Sequence, residues 1–89
     1  MATVFLALQT NEETRPIIEA ILEDNPKAVL HEAPAMVKID LDGKLVVKRA
    51  SIEEKIGRRF DLQELHINLI SLSGHIDEND DELSLSWGN

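Results

Sequence analysis

The chain has 89 residues, a length that suits one compact domain over residues 1–89 with a single modest core. Its 17 Asp and Glu residues outweigh 9 Lys and Arg residues, and the resulting net charge of -8 repels nucleic-acid phosphates. Because there is no cysteine, the chain can form neither a disulfide framework nor a thiolate metal site, and this composition favours a reducing cytoplasm. No run of about 18 apolar residues is present, so we expect no membrane-spanning segment.

The N-terminal third of the chain predicts a strand followed by a helix. Residues Thr3 to Leu8 are apolar and β-branched over a run too short for a helix, which indicates a strand. From about Thr14, the apolar residues of segment 17–22 recur at helical spacing. Pro16 then falls in the first turn, where its missing N–H costs no helical hydrogen bond. Asn25 stands before a proline, which disfavours helical backbone and ends the helix.

The middle of the chain predicts a strand over Ala28 to Glu32 and a β-hairpin over residues 36–49. Two hairpin registers are open. A two-residue loop at Asp42 and Gly43 would set lysines beside the buried face, so we predict a three-residue loop over residues 41–43. The three-residue loop gives these pairs: Ile39 with Leu45, Val37 with Val47, and Asp40 with Lys44 on the solvent face.

Two short helices are predicted after the hairpin. Ser51 followed by Glu54 has the form of a capping box, and it predicts a helix that Gly57 closes with a positive φ. Asp61 followed by Glu64 has the same form and predicts a second brief turn of helix.

Two strands complete the predicted fold. Residues 67–74 alternate and begin with apolar residues on both faces, which predicts a central strand. Asp77 to Glu82 then predict a charged loop, and Leu83 to Trp87 predict a final antiparallel strand. The predicted class is α+β, with a small antiparallel or mixed β-sheet packed with one main helix and one or two short helices. The predicted order is β-α-β-β-β-α-(α)-β-β.

The acidic run near the C-terminus does not fit a calcium loop. Asp77, Asn79 and Asp81 occupy the first three ligand positions of an EF-hand. The sixth position, however, holds Glu82 where the turn needs Gly, and the twelfth holds Gly88 where a bidentate Glu is required. The run therefore predicts a solvated loop that blunts a sheet edge.

The remaining polar residues carry no recognisable catalytic or metal-binding pattern. The three histidines are far apart and form no HxH or HxxxH pair, and no serine stands in a GxSxG context. We therefore expect no catalytic residue, no metal ligand and no bound cofactor, so the chain is not predicted to be an enzyme. Five of the nine basic residues fall between Lys48 and Arg59. They form either an ordinary solvated face or a basic rim for carboxylates on a protein partner.

Several short segments together resemble one family. The chain is similar to the effector proteins of bacterial multicomponent di-iron monooxygenases, with the phenol hydroxylase branch nearest. The residues that carry the resemblance are Asn25-Pro26, Lys48-Arg49, Ile52 to Arg58, Phe60 to Leu62, Glu64-Leu65, Asn68-Leu69, Ser71, Ser73-Gly74, Ile76-Asp77 and Leu85 to Trp87.

The resemblance implies a cofactor-free regulatory protein that binds the hydroxylase component of a phenol or aromatic monooxygenase complex. Such proteins couple oxygen activation to hydroxylation of an aromatic ring, and the di-iron centre would belong to the hydroxylase. The alternative function is a sensor module that binds a small molecule, since small α+β domains often bind metabolites. No nucleic acid and no membrane is expected as a partner.

Six residues are candidates for contact with the partner. Four lie on the otherwise apolar segment 67–74 and two on the basic rim: Asn68, Ser71, Ser73, Gly74, Arg49 and Arg58. Structural roles stay open for two of them. Asn68 could bond a neighbouring loop, and Gly74 could mark a bulge.

Overall fold

A computed structural model of the chain describes residues 3–87. Its elements are β1 (Thr3–Gln9), α1 (Thr14–Asp24), β2 (Val29–Ala33), β3 (Met36–Asp42), β4 (Lys44–Lys48), α2 (Arg49–Ile56), a 3-10 helix (Leu62–Ile67), β5 (Leu69–Ser73), β6 (His75–Glu78) and β7 (Glu82–Ser86). The α+β class, the antiparallel pairing and the order of elements agree with the prediction. The short strand β6 is an addition, formed partly where the sequence predicts a charged loop.

The strands divide between two antiparallel sheets. The first sheet has the order β2-β3-β1-β5, and the second has the order β4-β7-β6. Strand β1 lies between two neighbours, and its Val4, Leu6 and Leu8 are fully buried. These side chains belong to one apolar cluster that continues through α1, β4 and β7, so the two sheets share a core.

The predicted hairpin over residues 36–49 is wrong. Strand β3 pairs with β1 and β2, whereas β4 belongs to the other sheet and pairs with β7. On β3, Ile39 pairs with Leu6 and Leu30, Val37 with Leu8 and Glu32, and Asp40 with Phe5 and Val29. On β4, Leu45 pairs with Leu85, Val47 with Leu83, and Lys44 with Ser86. Gly43, with φ of 105°, lies where the chain passes from one sheet to the other. A hairpin instead joins β2 to β3 through Pro34 and Ala35.

The predicted start of α2 is wrong, and its predicted end is confirmed. The helix begins at Arg49, so Ser51 lies within its first turn, and Lys48 at the cap position makes no side-chain hydrogen bond. The Arg49 amide instead donates to the carbonyl oxygen of Asp81 at 2.9 Å, so a distant loop replaces the local cap. Gly57 ends the helix with φ of 75°, as predicted.

The second capping box is confirmed. The Asp61 carboxylate accepts from the Gln63 amide at 2.9 Å, and the Glu64 carboxylate accepts from the Asp61 amide at 3.0 Å. The helix that follows is of the 3-10 type, and it is anchored by the buried side chains of Leu62 and Leu65.

Strand β5 lies at an edge of the first sheet, so the prediction of a central strand is wrong. Of the apolar residues that indicated two buried faces, Leu69 and Leu72 pack against the core, whereas Ile67 and Ile70 do not. Ile67 belongs to the 3-10 helix, and both side chains are exposed. The apolar pattern therefore predicts burial at two positions that the fold leaves exposed.

The C-terminal end of α1 is tied to the second sheet by Asn25. Its side-chain nitrogen donates to the carbonyl oxygens of Ile21 and Val46, both at 2.7 Å, and its side-chain oxygen accepts from the Val46 amide at 3.1 Å. Asn25 thus ends the helix, as predicted, and its side chain also satisfies the main-chain amide and carbonyl of Val46 in the edge strand β4.

Candidate functional site

Asn68 is held inside the molecule by its neighbours. Its side chain is buried, and the side-chain oxygen accepts a hydrogen bond from the side-chain nitrogen of Asn11 at 3.0 Å. Its carbonyl oxygen accepts from the Gln9 amide at 2.9 Å. Of the two roles left open by the sequence, the structure shows Asn68 bonding a neighbouring loop.

Asn11 also organises the turn that leads into α1. The Thr14 amide donates to the Asn11 side-chain oxygen at 2.9 Å, and the Asn11 amide donates to the Thr14 hydroxyl at 2.9 Å. These reciprocal bonds satisfy donors that the helix itself leaves open. Through Asn11, the position of Asn68 is coupled to the start of α1.

Ile67 is a large apolar side chain in contact with solvent. It is 75% exposed, although it stands between the buried Leu65 and the buried Asn68. Its main chain is therefore fixed on both sides while its side chain is free to contact another molecule. A rigid exposed anchor loses little conformational entropy on binding, which favours a role in recognition.

Beside Ile67 lies an open cleft of about 380 Å³ between the start of α1, the end of α2 and the 3-10 helix. Its apolar lining consists of Pro16, Ile17, Ile56, Phe60 and Ile67. We call this cleft the Ile67 groove. Asn68 and Arg58 also line it, so two of the six candidate residues meet there.

The other candidates on segment 67–74 lie elsewhere. Ser71 is exposed and Ser73 half-buried on the edge strand β5, opposite Ala7 and Phe5. Gly74 has φ of 129°, and a Cβ atom there would lie 2.8 Å from Cγ1 of Val4. The close approach of this core side chain accounts for glycine at position 74.

Arg49 is engaged in a network within the chain. Its guanidinium lies 3.0 Å from the Asp81 carboxylate and 3.3 Å from the Glu53 carboxylate. The hydrogen bond to Asp81 and the charge of Glu53 raise the pKa of Arg49. Glu53 also accepts from the Phe60 amide at 2.9 Å, so the network braces the turn after α2.

Arg58 likewise braces that turn. Its guanidinium donates to the Arg59 carbonyl oxygen at 2.8 Å and lies 3.4 Å from the Glu64 carboxylate. Arg58 therefore has a bracing role within the chain. A contact between any of the six candidate residues and a partner stays a prediction.

A second, wider cleft of about 850 Å³ lies on the other side of Phe60. Its charged lining consists of Arg49, Arg59, Asp61, Glu64, Glu78 and Asp80. Most of these acids are already engaged, for example Glu78 with His66 at 3.2 Å and with Gln63 at 3.2 Å. The cleft therefore combines both signs of charge rather than presenting one.

The sequence did not indicate that Ile67 and Asn11 shape the groove. Its alternating pattern places Ile67 in a strand and gives no sign that the side chain is exposed. Asn11 falls in a polar stretch that marks only the end of β1. The reciprocal spacing of Asn11 and Thr14 was the available signal for a cap, although it does not point to Asn68.

Within residues 3–87, no three side chains of His, Asp or Glu gather closely enough to hold a metal ion. None of the helices in the same range has both the length and the apolar character needed to cross a membrane.

The chain belongs to the MmoB/DmpM family, whose model matches residues 2–86. It is 41% identical over 86 residues to the phenol 2-monooxygenase stimulatory component DmpM of Pseudomonas sp. strain CF600, covering 97% of this chain and 96% of that protein. It is 33% identical over 69 residues to the effector subunit of the alkene monooxygenase system of Xanthobacter autotrophicus, covering 75% and 68% of the two chains. The family predicted from the sequence is confirmed.

Solved structures agree with this assignment. A chain from a structure of the phenol hydroxylase–regulatory protein complex is 44% identical and superposes with a TM-score of 0.93, covering 98% of this chain and 100% of that one. The regulatory protein B of soluble methane monooxygenase is 24% identical with a TM-score of 0.76, covering 97% of this chain and 65% of that one. The second likeness concerns the fold alone.

Proposed function

We propose that this chain is the regulatory component of a multicomponent monooxygenase that hydroxylates an aromatic ring, and that it acts by binding the hydroxylase component. The observation that carries the proposal is the match to a chain of the phenol hydroxylase–regulatory protein complex, with 44% identity and a TM-score of 0.93 over 98% of this chain. The relative at 41% identity, named a stimulatory component, supports the same role.

Regulation needs no catalytic residue on this chain. A protein that binds one conformation of the hydroxylase better than another shifts the balance between them by the difference in binding free energy. A difference of about 3 kcal/mol changes the ratio by about a hundredfold. In this proposal the di-iron centre belongs to the hydroxylase, where oxygen is activated, and this chain contributes a docking surface.

Three further predictions belong to the same proposal. Residues 1–89 act as one domain, the protein works in the cytoplasm, and the polar residues Ser71 and Ser73 on the β5 edge contact the hydroxylase. Their support is the modest chain length, the cysteine-free composition and the position of β5 at a sheet edge.

The direct test is a reconstitution. The chain is mixed with the hydroxylase and reductase components of the phenol monooxygenase of Pseudomonas sp. strain CF600, and product is measured against NADH and oxygen consumed. We expect a higher rate and more product per NADH than with an equal concentration of an unrelated acidic protein. No gain in either quantity would contradict the proposal. Saturable binding of phenol to the isolated chain would instead favour the sensor function.

A further inference from the structure

The walls of the Ile67 groove are helical. The start of α1, the end of α2 and the 3-10 helix bond their main-chain groups mostly along their own axes. The groove therefore presents side chains to a partner, rather than the free main-chain groups of a strand edge. A cleft with both apolar and charged walls suits a helix that is apolar on one face and charged beside it, since a helix places side chains on one face at intervals of three and four residues.

The basic side chains at the rim are already satisfied within the chain. Lys55 is hydrogen-bonded to Glu23. Arg58 is bonded to the Arg59 carbonyl oxygen and to Glu64. Each cation is therefore already paired with a carboxylate of the chain itself, which lowers its attraction for an acidic partner.

The acidic side chains at the start of α1 are not compensated in this way. Glu12 and Glu13 are exposed at the same rim, and within residues 3–87 neither forms an ion pair. The electrostatic complement of this rim is a lysine or arginine on the partner.

We propose that the Ile67 groove is a surface through which the chain docks on the hydroxylase, and that its occupant is a hydroxylase helix with an apolar face flanked by Lys or Arg. The inference rests on the proposed function, since it takes the hydroxylase as the partner. Ile67 is the apolar anchor, Glu12 and Glu13 meet the basic side chains, and Asn68 is a positioning residue that holds Ile67 beside α1.

The first test measures the dissociation constant of the full chain for the hydroxylase component of the Pseudomonas sp. strain CF600 enzyme by calorimetry. Ile67→Lys is expected to weaken binding by about tenfold or more, because it places a charge where the complex would bury an apolar side chain. The matched control is Val29→Lys, a 54% exposed apolar residue on the opposite edge strand of the first sheet. Equal thermal unfolding midpoints of the two variants show that both are folded.

The control variant is expected to bind like the unaltered chain. Binding of Ile67→Lys within about twofold of the unaltered chain would overturn the inference, as would equal weakening by both variants. Sedimentation of the free chain tests whether a second copy of this chain, rather than a hydroxylase helix, occupies the groove. A dimer that Ile67→Lys dissociates, with hydroxylase binding unchanged, would also overturn it.

The second test removes the charge at the rim. Glu12→Gln/Glu13→Gln is expected to weaken binding by about three- to tenfold at low salt, with the difference lost at high salt. Glu32→Gln/Asp42→Asn removes two exposed carboxylates elsewhere and controls for net charge. Equal weakening by both pairs would show that only net charge matters and would overturn the assignment to this rim.

The two levels of the proposal fail in different ways. If the unaltered chain does not bind the hydroxylase, the proposed function and this inference fall together. If the unaltered chain binds and stimulates turnover while Ile67→Lys behaves identically, only the groove assignment falls.

Discussion

The side-chain nitrogen of Asn11 lies 3.0 Å from the side-chain oxygen of Asn68, and the hydrogen bond between them joins residues 57 positions apart. Asn11 shapes the turn before α1, and Asn68 follows the 3-10 helix. One bond thus connects two walls of the Ile67 groove. Asn68, which the sequence predicts as a partner contact, is hydrogen-bonded within the folded chain.

Asn68→Ala should destabilise the chain by about 1 kcal/mol, because it removes a buried side chain together with its hydrogen bond to Asn11. Urea denaturation measures the change, with Ser71→Ala on the exposed face of β5 as the control expected to stay within about 0.5 kcal/mol. A role as a surface contact alone would leave stability unchanged and lower only the affinity for the hydroxylase.

Gly74→Ala should be clearly more destabilising than Gly43→Ala. Both glycines have positive φ, at 129° and 105°, so both variants carry backbone strain. Only at Gly74 would the new Cβ also meet Val4, at 2.8 Å, whereas at Gly43 nothing lies within 4 Å. We expect the difference to be about 1–3 kcal/mol in thermal or chemical unfolding. Equal losses would show that the approach of Val4 has no energetic consequence.

Asn25→Ala should cost about 2–4 kcal/mol of unfolding free energy. The substitution removes three hydrogen bonds and leaves the Val46 amide and the Ile21 carbonyl without this partner. Lys27→Ala, at an exposed position in the same connection, is the control and should change little. A loss below about 1 kcal/mol for Asn25→Ala would mean that water replaces the side chain at little cost.

The contribution of Lys55 to stability should disappear at alkaline pH. Its hydrogen bond to Glu23 raises the pKa of Lys55 above its ordinary value of 10.5. A raised pKa in the folded state means that the stabilisation is complete below the unfolded pKa and is lost as the pH rises through the folded pKa.

Unfolding midpoints of the unaltered chain and of Lys55→Gln should therefore differ at about pH 8 and converge above about pH 10.5. Lys27→Gln removes an exposed lysine that forms no ion pair within residues 3–87 and serves as the control. A difference for Lys55→Gln that is independent of pH would contradict the role of its charge.

Local signals in the sequence predicted the elements better than their pairing. The positive φ of Gly57, the capping box at Asp61 and the helix end at Asn25 each depend on a few neighbouring residues, and each is confirmed. The hairpin over residues 36–49 was wrong, although both of its strands exist. In β3 and β4 alternation correctly shows which residues are buried, but several partners can bury the same face.

The candidate site shows the same division. Four of the six candidate residues lie on segment 67–74, yet in the fold this segment divides into the exposed Ile67, the buried Asn68, an edge strand and a glycine between the two sheets. Arg49 and Arg58, predicted as rim contacts, are bonded to Asp81, Glu53 and Glu64 within the chain. Partners more than 20 positions away in sequence, such as Asp81 for Arg49, leave no local signal.

The sequence by itself determined the family, the α+β class and the C-terminal ends of α1 and α2, because each depends on residue identity and on neighbours a few positions away. Only the tertiary structure decided which strands pair, that Ile67 is exposed and that Asn68 is buried. Those properties depend on surfaces that the whole fold brings together. Asn68 is hydrogen-bonded because Asn11 lies beside it, and Ile67 is exposed because no other element of residues 3–87 covers it.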